Sequence, residues 1–347
     1  MSRSAADRSS PRPPVSFAHL LRLSDHGGLF EHARFTEPRP EHGYCIDDIA
    51  RGLVVLAREP ELSEQLRALA DFYLWLVTDA QAADGRLHNR RSVDLRWIDR
   101  PSLDDCWGRA IWGLGTAAAR LPRDAEAAEL AMSHFDLSAV RRSPHLHAMA
   151  FAALGAAEVL TLDPDHAGAR RLLGDAAALI ASAGRPTDAW PWPEPRLRYA
   201  NAALPEVLLA AGSLLADSAA LDLGLAMLGW LMDVETLDGH LSVTPVGGWV
   251  TGEPRPGFDQ QPIEAAALAD ACWRAYAVTG DPRWQAGLLR CEAWFLGAND
   301  AGISLVDNIT GGCCDGLHRT GRNENQGAES TLAMISTFQR CQLVATR

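Results

Sequence analysis

The sequence predicts an all-α protein in which six helical hairpins close into a ring. Three observations lead to this fold class: alanine and leucine dominate the 347 residues, apolar residues recur three and four positions apart, and two kinds of helix alternate along the chain. The run Leu62, Leu66, Leu69, Tyr73 and Leu76 shows this spacing. It places all five side chains on one face of a helix, as expected for a helix that packs on a core.

The first kind of helix is amphipathic, with a charged face that we expect to meet solvent. Helices of this kind are predicted at about 61–79, 124–134, 165–182, 216–233 and 282–297. Their charged faces assign them to an outer layer.

The second kind is rich in Ala, Gly and Leu on nearly all sides, which is typical of a buried helix. Six such inner helices are predicted to begin near residues 46, 103, 145, 200, 261 and 326, each after a polar segment. The mean interval is about 56 residues, within reach of a helical hairpin. Because no outer helix follows the sixth inner helix, we expect the segment 15–25 to supply it, so that the two ends of the chain meet and close the ring.

The terminal segment and the cysteines predict the setting of the protein. Residues 1–14 are polar and lack the apolar stretch of a signal peptide, so we expect a flexible tail there, followed by a single barrel domain at 15–347. No uninterrupted run of about 18 apolar residues occurs, which argues against a membrane span. Seven scattered cysteines without a C-x-x-C pair are typical of reduced thiols, and they predict a cytoplasmic protein without a metal.

The charged residues exclude several classes of function. All 32 basic residues are arginines, against 44 acidic residues, so the net charge is −12. Without lysine, the chain has no Walker-type phosphate lysine, Schiff-base lysine or lysine general base. The acidic excess argues against nucleic acid as a partner, because phosphates require a basic face. A G-x-G-x-x-A match at 113–118 lies inside a helical pattern with no strand before it, so no dinucleotide cofactor is expected.

Carboxylates stand at the starts of several predicted inner helices. A carboxylic acid beside a carboxylate can act as a general acid and a general base, so these positions are the predicted catalytic residues. They are Asp48 and Asp105, each the second member of an Asp-Asp pair, with Asp259, Glu264 and Glu329. Capping of the helix N-terminus is the alternative for the Asp pairs and for Glu264.

The same segments supply aromatic, amide and basic side chains suited to a ligand with many hydroxyl groups. An amide both donates and accepts hydrogen bonds, as hydroxyl recognition requires, and an aromatic face packs against the apolar side of a ring. For Trp107, packing in the core is the alternative. The predicted substrate-binding residues are His42, Trp107, Arg109, Tyr199, Asn201, Trp249, Gln260, Gln261, Asn325 and Gln326.

The arrangement of six inner and six outer helices, with polar and aromatic residues before each inner helix, resembles the (α/α)6 toroid of the six-hairpin glycosidase superfamily. Sugar 2-epimerases share this shape. The segments FDQQPIE at 258–264 and NENQGAE at 323–329 look like helical domains found beside bacterial glycosyltransferases. The resemblance implies one sugar-binding funnel at the mouth where the inner helices begin, and a glycosyltransferase as a partner.

Three functions are compatible with these observations. The first is an inverting glycoside hydrolase or phosphorylase acting on an oligosaccharide or glycoside, with Asp105 as acid and Asp259 or Glu329 as base. The second is a sugar epimerase or isomerase; the epimerases of this shape use histidines for proton transfer, so this function would be favoured if His145 or His147 faced another histidine such as His318 across the funnel. The third is a non-catalytic glycan-binding domain that works beside a glycosyltransferase.

Overall fold

In the part of the chain that the structure describes, twelve α-helices build the (α/α)6 toroid, which confirms the predicted fold class. The computed structural model describes residues 15–121, 125–184, 186–187 and 189–345, so the predicted tail at 1–14 lies outside the described residues. The helices are α1 Ala18–Leu23, α2 Ile46–Arg58, α3 Glu64–Asp79, α4 Asp105–Arg120, α5 Ala125–Ala139, α6 Leu146–Leu162, α7 Ala167–Ser182, α8 Ala203–Leu214, α9 Ser218–Val234, α10 Pro262–Thr279, α11 Pro282–Phe295 and α12 Ala328–Ala345.

The even-numbered helices form the inner ring and the odd-numbered helices surround it. Each inner helix packs against the next one along the chain, and α12 packs against α2, which closes the ring. The short helix α1 packs against α12, so the N-terminal segment supplies the twelfth helix as predicted. All six inner helices begin within three residues of their predicted starts. Among the described residues, no helix is long and apolar enough to cross a membrane.

Glycines let the inner helices α4 and α6 approach until their backbones touch. A β-carbon added at Gly155 of α6 would lie 2.3 Å from the carbonyl oxygen of Ile111. One added at Gly115 of α4 would lie 2.3 Å from the carbonyl oxygen of Gly155. This pair of helices therefore owes its spacing to residues without side chains.

Short antiparallel strand pairs build much of the irregular segments before the inner helices. The pairs are β1 Ser24–Asp25 with β2 Gly28–Leu29, β3 Ala33–Arg34 with β4 Glu37–Pro38, β5 Tyr44–Cys45 with β6 Arg90–Arg91, β7 Thr236–Leu237 with β8 His240–Leu241, β9 Val306–Asp307 with β10 Gly312–Cys313, and β11 Gly316–His318 with β12 Gly321–Asn323. Because β5 and β6 precede different inner helices, their pairing ties neighbouring segments together at the mouth.

Buried ion pairs cross-link the inner ring away from the mouth. Asp270 of α10 accepts hydrogen bonds from Arg340 of α12 at 2.5 Å and from Arg58 of α2 at 3.0 Å. Beside them, Arg274 pairs with Glu206 at 3.0 Å. The side chains of Asp270, Arg58 and Arg340 are each no more than 5% exposed, so each charge depends on its partner.

Candidate active site

The starts of the outer and inner helices are satisfied in different ways. Four of the described outer helices, α3, α7, α9 and α11, are capped by side chains; for example, Ser63 accepts from the amide of Leu66, and Asp217 from the amide of Ala220. By contrast, α2 begins after Cys45 and α4 after Asp104, and neither residue makes a side-chain capping bond. Neither Asp pair therefore caps its helix through a side chain. Asp47, Asp48 and Asp105 line the space at the mouth, whereas Asp104 is exposed beside His145.

A polar cavity of about 560 Å³ lies at the mouth of the ring. Six carboxylates line it, together with three arginines, two histidines, four amides and a few small residues. The lining is Glu31, His32, Ala33, Arg39, His42, Cys45, Asp47, Asp48, Arg51, Asn89, Arg90, Asp105, Gln261, Asp315, Asn323, Asn325, Gly327, Glu329 and Ser330. Helices α2, α4 and α12 and the loops before them supply most of this wall.

Arg51 joins carboxylates of two inner helices at this cavity. Its Nη2 donates to Asp48 Oδ1 at 2.5 Å and to Asp47 Oδ2 at 3.0 Å, both on α2. Its Nη1 donates to Glu329 Oε2 on α12 at 2.7 Å. On the other side, Arg109 of α4 places its Nε 3.0 Å from Asp47 Oδ1. The network fixes the Glu329 carboxylate while leaving 36% of that side chain exposed to the cavity.

The carboxyl groups of the cavity differ in acidity. Burial raises the pKa of Asp48 to about 7, despite the opposing charge of Arg51. Burial also raises the pKa of Asp315 to about 6, although the Gly327 amide donates to its Oδ1 at 2.7 Å. The pKa of Glu329 is lowered. Burial acts to raise this pKa, but the positive charges of Arg51 and Arg109 have the larger combined effect. The cavity therefore holds both proton-retaining carboxyls and a carboxylate that stays ionised.

Three further contacts involve residues that line the cavity. Glu31 forms a close ion pair with Arg90, and the rings of His32 and His42 meet edge to face at 4.9 Å. Asn89 accepts the amide proton of Asp47 at 3.1 Å and so supports the start of α2.

A group of potential metal ligands also occurs here. Oxygen and sulfur atoms of Glu31, Cys45 and Asp48 lie within 4.8 Å of one another. Arg90 and Arg51 already neutralise the two carboxylates, and burial raises the pKa of the Cys45 thiol. With both carboxylates paired to arginines and the thiol protonated, these three residues are poorly suited to bind a cation.

Six of the predicted site residues line the cavity: Asp48, Asp105, Glu329, His42, Gln261 and Asn325. Arg109 lies beside a smaller apolar space in the ring, which shares Arg51 and Glu329 with the cavity, and its guanidinium is 3.9 Å from the centre of the Phe151 ring. The other predicted residues lie outside the lining of the cavity.

Glu264 and Asn201 connect two inner helices. Glu264 is buried in the first turn of α10 and accepts from the amide of Ala200 at 2.5 Å. It also accepts from the amide and the side-chain Nδ2 of Asn201, at 3.3 and 3.1 Å. Burial raises the pKa of Glu264. This carboxyl faces the segment before α8 instead of the cavity.

Gln260 and Gln326 are buried, and their amides bond to protein groups. Gln260 pairs through its backbone with Leu317, and its Nε2 donates to Asp300 at 2.5 Å. Gln326 donates from Nε2 to Asp307 Oδ2 at 2.9 Å.

The two predicted tryptophans pack among apolar side chains. Trp107 is fully buried, and Trp249 is 9% exposed and pairs through its backbone with Leu197. No aromatic ring other than histidine belongs to the described lining of the cavity.

Asp259 and the three histidines named for an epimerase lie apart from the cavity lining. Asp259 is half exposed and pairs with His318 Nδ1 at 2.7 Å. His145 is exposed, with Nε2 3.3 Å from Asp104. His147 is buried against Tyr199, whose hydroxyl donates to Asp105.

Arg51 and Asp315 line the cavity, but neither is among the site residues predicted from the sequence. Arg51 had a local signal, because it follows Asp47 by four residues and so shares its helix face. Asp315 had none, since its place in the wall results from its loop packing against Gly327, twelve residues further along the chain.

Comparisons with known proteins identify structural neighbours only. No family model matches the chain, and no curated protein matches it. A sugar epimerase from a ruminal bacterium superposes with a TM-score of 0.68 at 13% identity, covering 93% of this chain and 95% of the other. Cellobiose 2-epimerase from Bacillus thermoamylovorans gives 0.71 at 10% identity, covering 92% and 95%. A family 76 glycoside hydrolase from Bacteroides thetaiotaomicron gives 0.65 at 10% identity, covering 95% and 76%. These similarities support the fold.

Proposed function

We propose that this protein is a carbohydrate-active enzyme that cleaves a glycosidic bond, by hydrolysis or phosphorolysis, in the cavity at the mouth of the toroid. The observation that carries the proposal is the set of carboxyl groups from three inner-helix starts around one space. Glu329 is held as a carboxylate by Arg51, as a general base requires. Asp105 projects from the start of α4 and is proposed as the acid.

In the hydrolytic form of the reaction, the two carboxyl groups carry out the proton transfers. Glu329 takes a proton from the attacking water while the acid protonates the leaving oxygen, so the two carboxyls exchange their protonation states in one turnover. Asp315, whose pKa of about 6 also suits an acid, lies beside Glu329. Substitution of Asp105 and of Asp315 separately decides which carboxyl protonates the leaving group.

A sugar epimerase is the second candidate, and His32 and His42 in the cavity wall favour it. Two of the structural neighbours named above are epimerases. Against it, the two rings meet edge to face, with 4.9 Å between their centres, whereas proton transfer to both faces of a sugar carbon requires bases on opposite sides of the sugar. We therefore rank glycosidic cleavage first.

The deciding experiment follows anomeric protons by NMR in a panel of gluco-, manno- and galacto-oligosaccharides, with and without phosphate. Cleavage that is lost in Asp105→Asn and Glu329→Gln supports the proposal. Glu324→Gln, an exposed carboxyl paired with Arg322, is the matched control. Interconversion of free sugars without cleavage would establish the epimerase, and binding without turnover would establish a glycan-binding domain.

The same proposal includes a partner protein and a cellular location. The predicted glycosyltransferase partner and cytoplasmic location rest on sequence resemblance and on cysteine usage. Co-purification of a glycosyltransferase with the tagged chain, and fractionation of the source cells, would test them.

A further inference from the structure

We propose that Tyr199 is a positioning residue for Asp105 and not a sugar-binding group. The inference rests on the proposed function, because it assigns Tyr199 to the carboxyl that we propose as the acid. Tyr199 lies in the segment before α8, whereas Asp105 is the first residue of α4. The two are 94 positions apart in the sequence, and they meet because α4 and α8 both pack against α6.

The contact between them is specific to one oxygen. The hydroxyl of Tyr199 donates to Asp105 Oδ2 in a close hydrogen bond. The described residues supply no donor to Oδ1 of Asp105, and Asp105 belongs to the lining of the cavity. A donor fixed on Oδ2 sets the rotation of the carboxyl group and leaves Oδ1 for the proton that goes to the leaving oxygen.

The ring of Tyr199 is itself held in place from behind. It stacks on the imidazole of His147, with 4.6 Å between ring centres and 26° between ring planes. The His147 side chain is 5% exposed, and its Nδ1 lies 3.9 Å from Glu194 Oε2. Burial, with the charges of Arg109 and Arg198, lowers the pKa of His147 to about 4, so its ring is neutral near pH 7.

The protonation state of Tyr199 makes it a permanent donor. Burial and the neighbouring Asp105 carboxylate both raise the pKa of the phenol above its usual value. Tyr199 therefore keeps its proton throughout the working pH range of a protein, and the hydrogen bond to Asp105 persists while Asp105 itself gains and loses a proton. Such a bond orients a catalytic group without being consumed in the reaction.

Substitution Tyr199→Phe tests this role because it removes the hydroxyl and keeps the ring on His147. We expect kcat to fall about 10- to 100-fold, as for the loss of one hydrogen bond to a charged group, with KM changed less than about threefold. Tyr73→Phe is the matched control, since it removes a buried hydroxyl that bonds to Ser24. An increase in KM at constant kcat, or equal kcat values for both variants, would overturn the proposal.

A second readout does not depend on turnover. The chain has four tyrosines, so fluorotyrosine labelling gives four fluorine NMR signals that single Tyr→Phe variants assign. We expect Asp105→Asn to shift the Tyr199 signal while that of Tyr276 stays in place. An unmoved Tyr199 signal would overturn the proposal. A native protein that cleaves nothing in the panel would instead overturn the proposed function, and the fluorine shift would still decide whether Tyr199 holds Asp105.

Discussion

Substitution Gly155→Ala tests the close contact of inner helices on which the ring depends. The new β-carbon would lie 2.3 Å from the Ile111 carbonyl oxygen, and ordinary contact begins at 3.4 Å, so α4 and α6 must separate by about 1.1 Å. Such a backbone shift costs about 3 kcal/mol. Alanine returns about 1 kcal/mol, because glycine loses more conformational freedom on folding. We expect the free energy of unfolding to fall by about 2 kcal/mol.

The assay is denaturant unfolding followed by tryptophan fluorescence, with Gly229→Ala as the control. Gly229 lies within α9, and its added β-carbon would meet the nearest atom, of Trp284, at 4.0 Å. We expect the control to be unchanged or stabilised by up to about 1 kcal/mol. If Gly155→Ala were as stable as the control, a side chain at position 155 would be tolerated, and glycine would not be what sets the spacing of α4 and α6.

Two further predictions concern buried charge. Asp270→Asn leaves Arg58 and Arg340 buried without their carboxylate and should lower the free energy of unfolding by about 3–5 kcal/mol; a loss below 1 kcal/mol in denaturant unfolding would contradict this. Asp48 has a pKa of about 7 in the folded protein and about 4 when unfolded, so the contribution of Asp48 to stability should fall as the pH rises from 4 to 7. Asp48→Asn has no carboxyl to titrate, so its free energy of unfolding, relative to that of the native chain, should rise by up to about 4 kcal/mol between pH 4 and pH 7. If the two free energies of unfolding changed in parallel with pH, Asp48 would not have the raised pKa.

The ring could be predicted because its signals are local. Helix periodicity and the polar segment before each inner helix depend on neighbouring residues, so the starts are predicted to within three positions. The closure by α1 followed from counting outer helices. No comparable local signal marks which polar side chains face the cavity.

Gln260 and Gln261 show why only part of the site could be predicted. They are adjacent and chemically identical, yet Gln260 is buried by backbone pairing with Leu317 while Gln261 lines the cavity. That pairing joins segments 57 residues apart, which no local pattern reveals. Trp107 illustrates the same limit, because an aromatic residue in the first turn of an inner helix packs equally well into a core.

The turnover of Glu329→Gln shows whether the cavity carboxylates carry out the reaction. Cleavage rates for the native chain, Glu329→Gln and Asp259→Asn would be measured by NMR on the best substrate of the panel. Loss of a general base predicts a fall of at least about 100-fold in kcat for Glu329→Gln. Asp259 pairs with His318 outside the described cavity lining, so its substitution should cost far less. If Asp259→Asn lost most of its cleavage rate while Glu329→Gln cleaved at nearly the native rate, the cavity carboxylates could not be the catalytic groups.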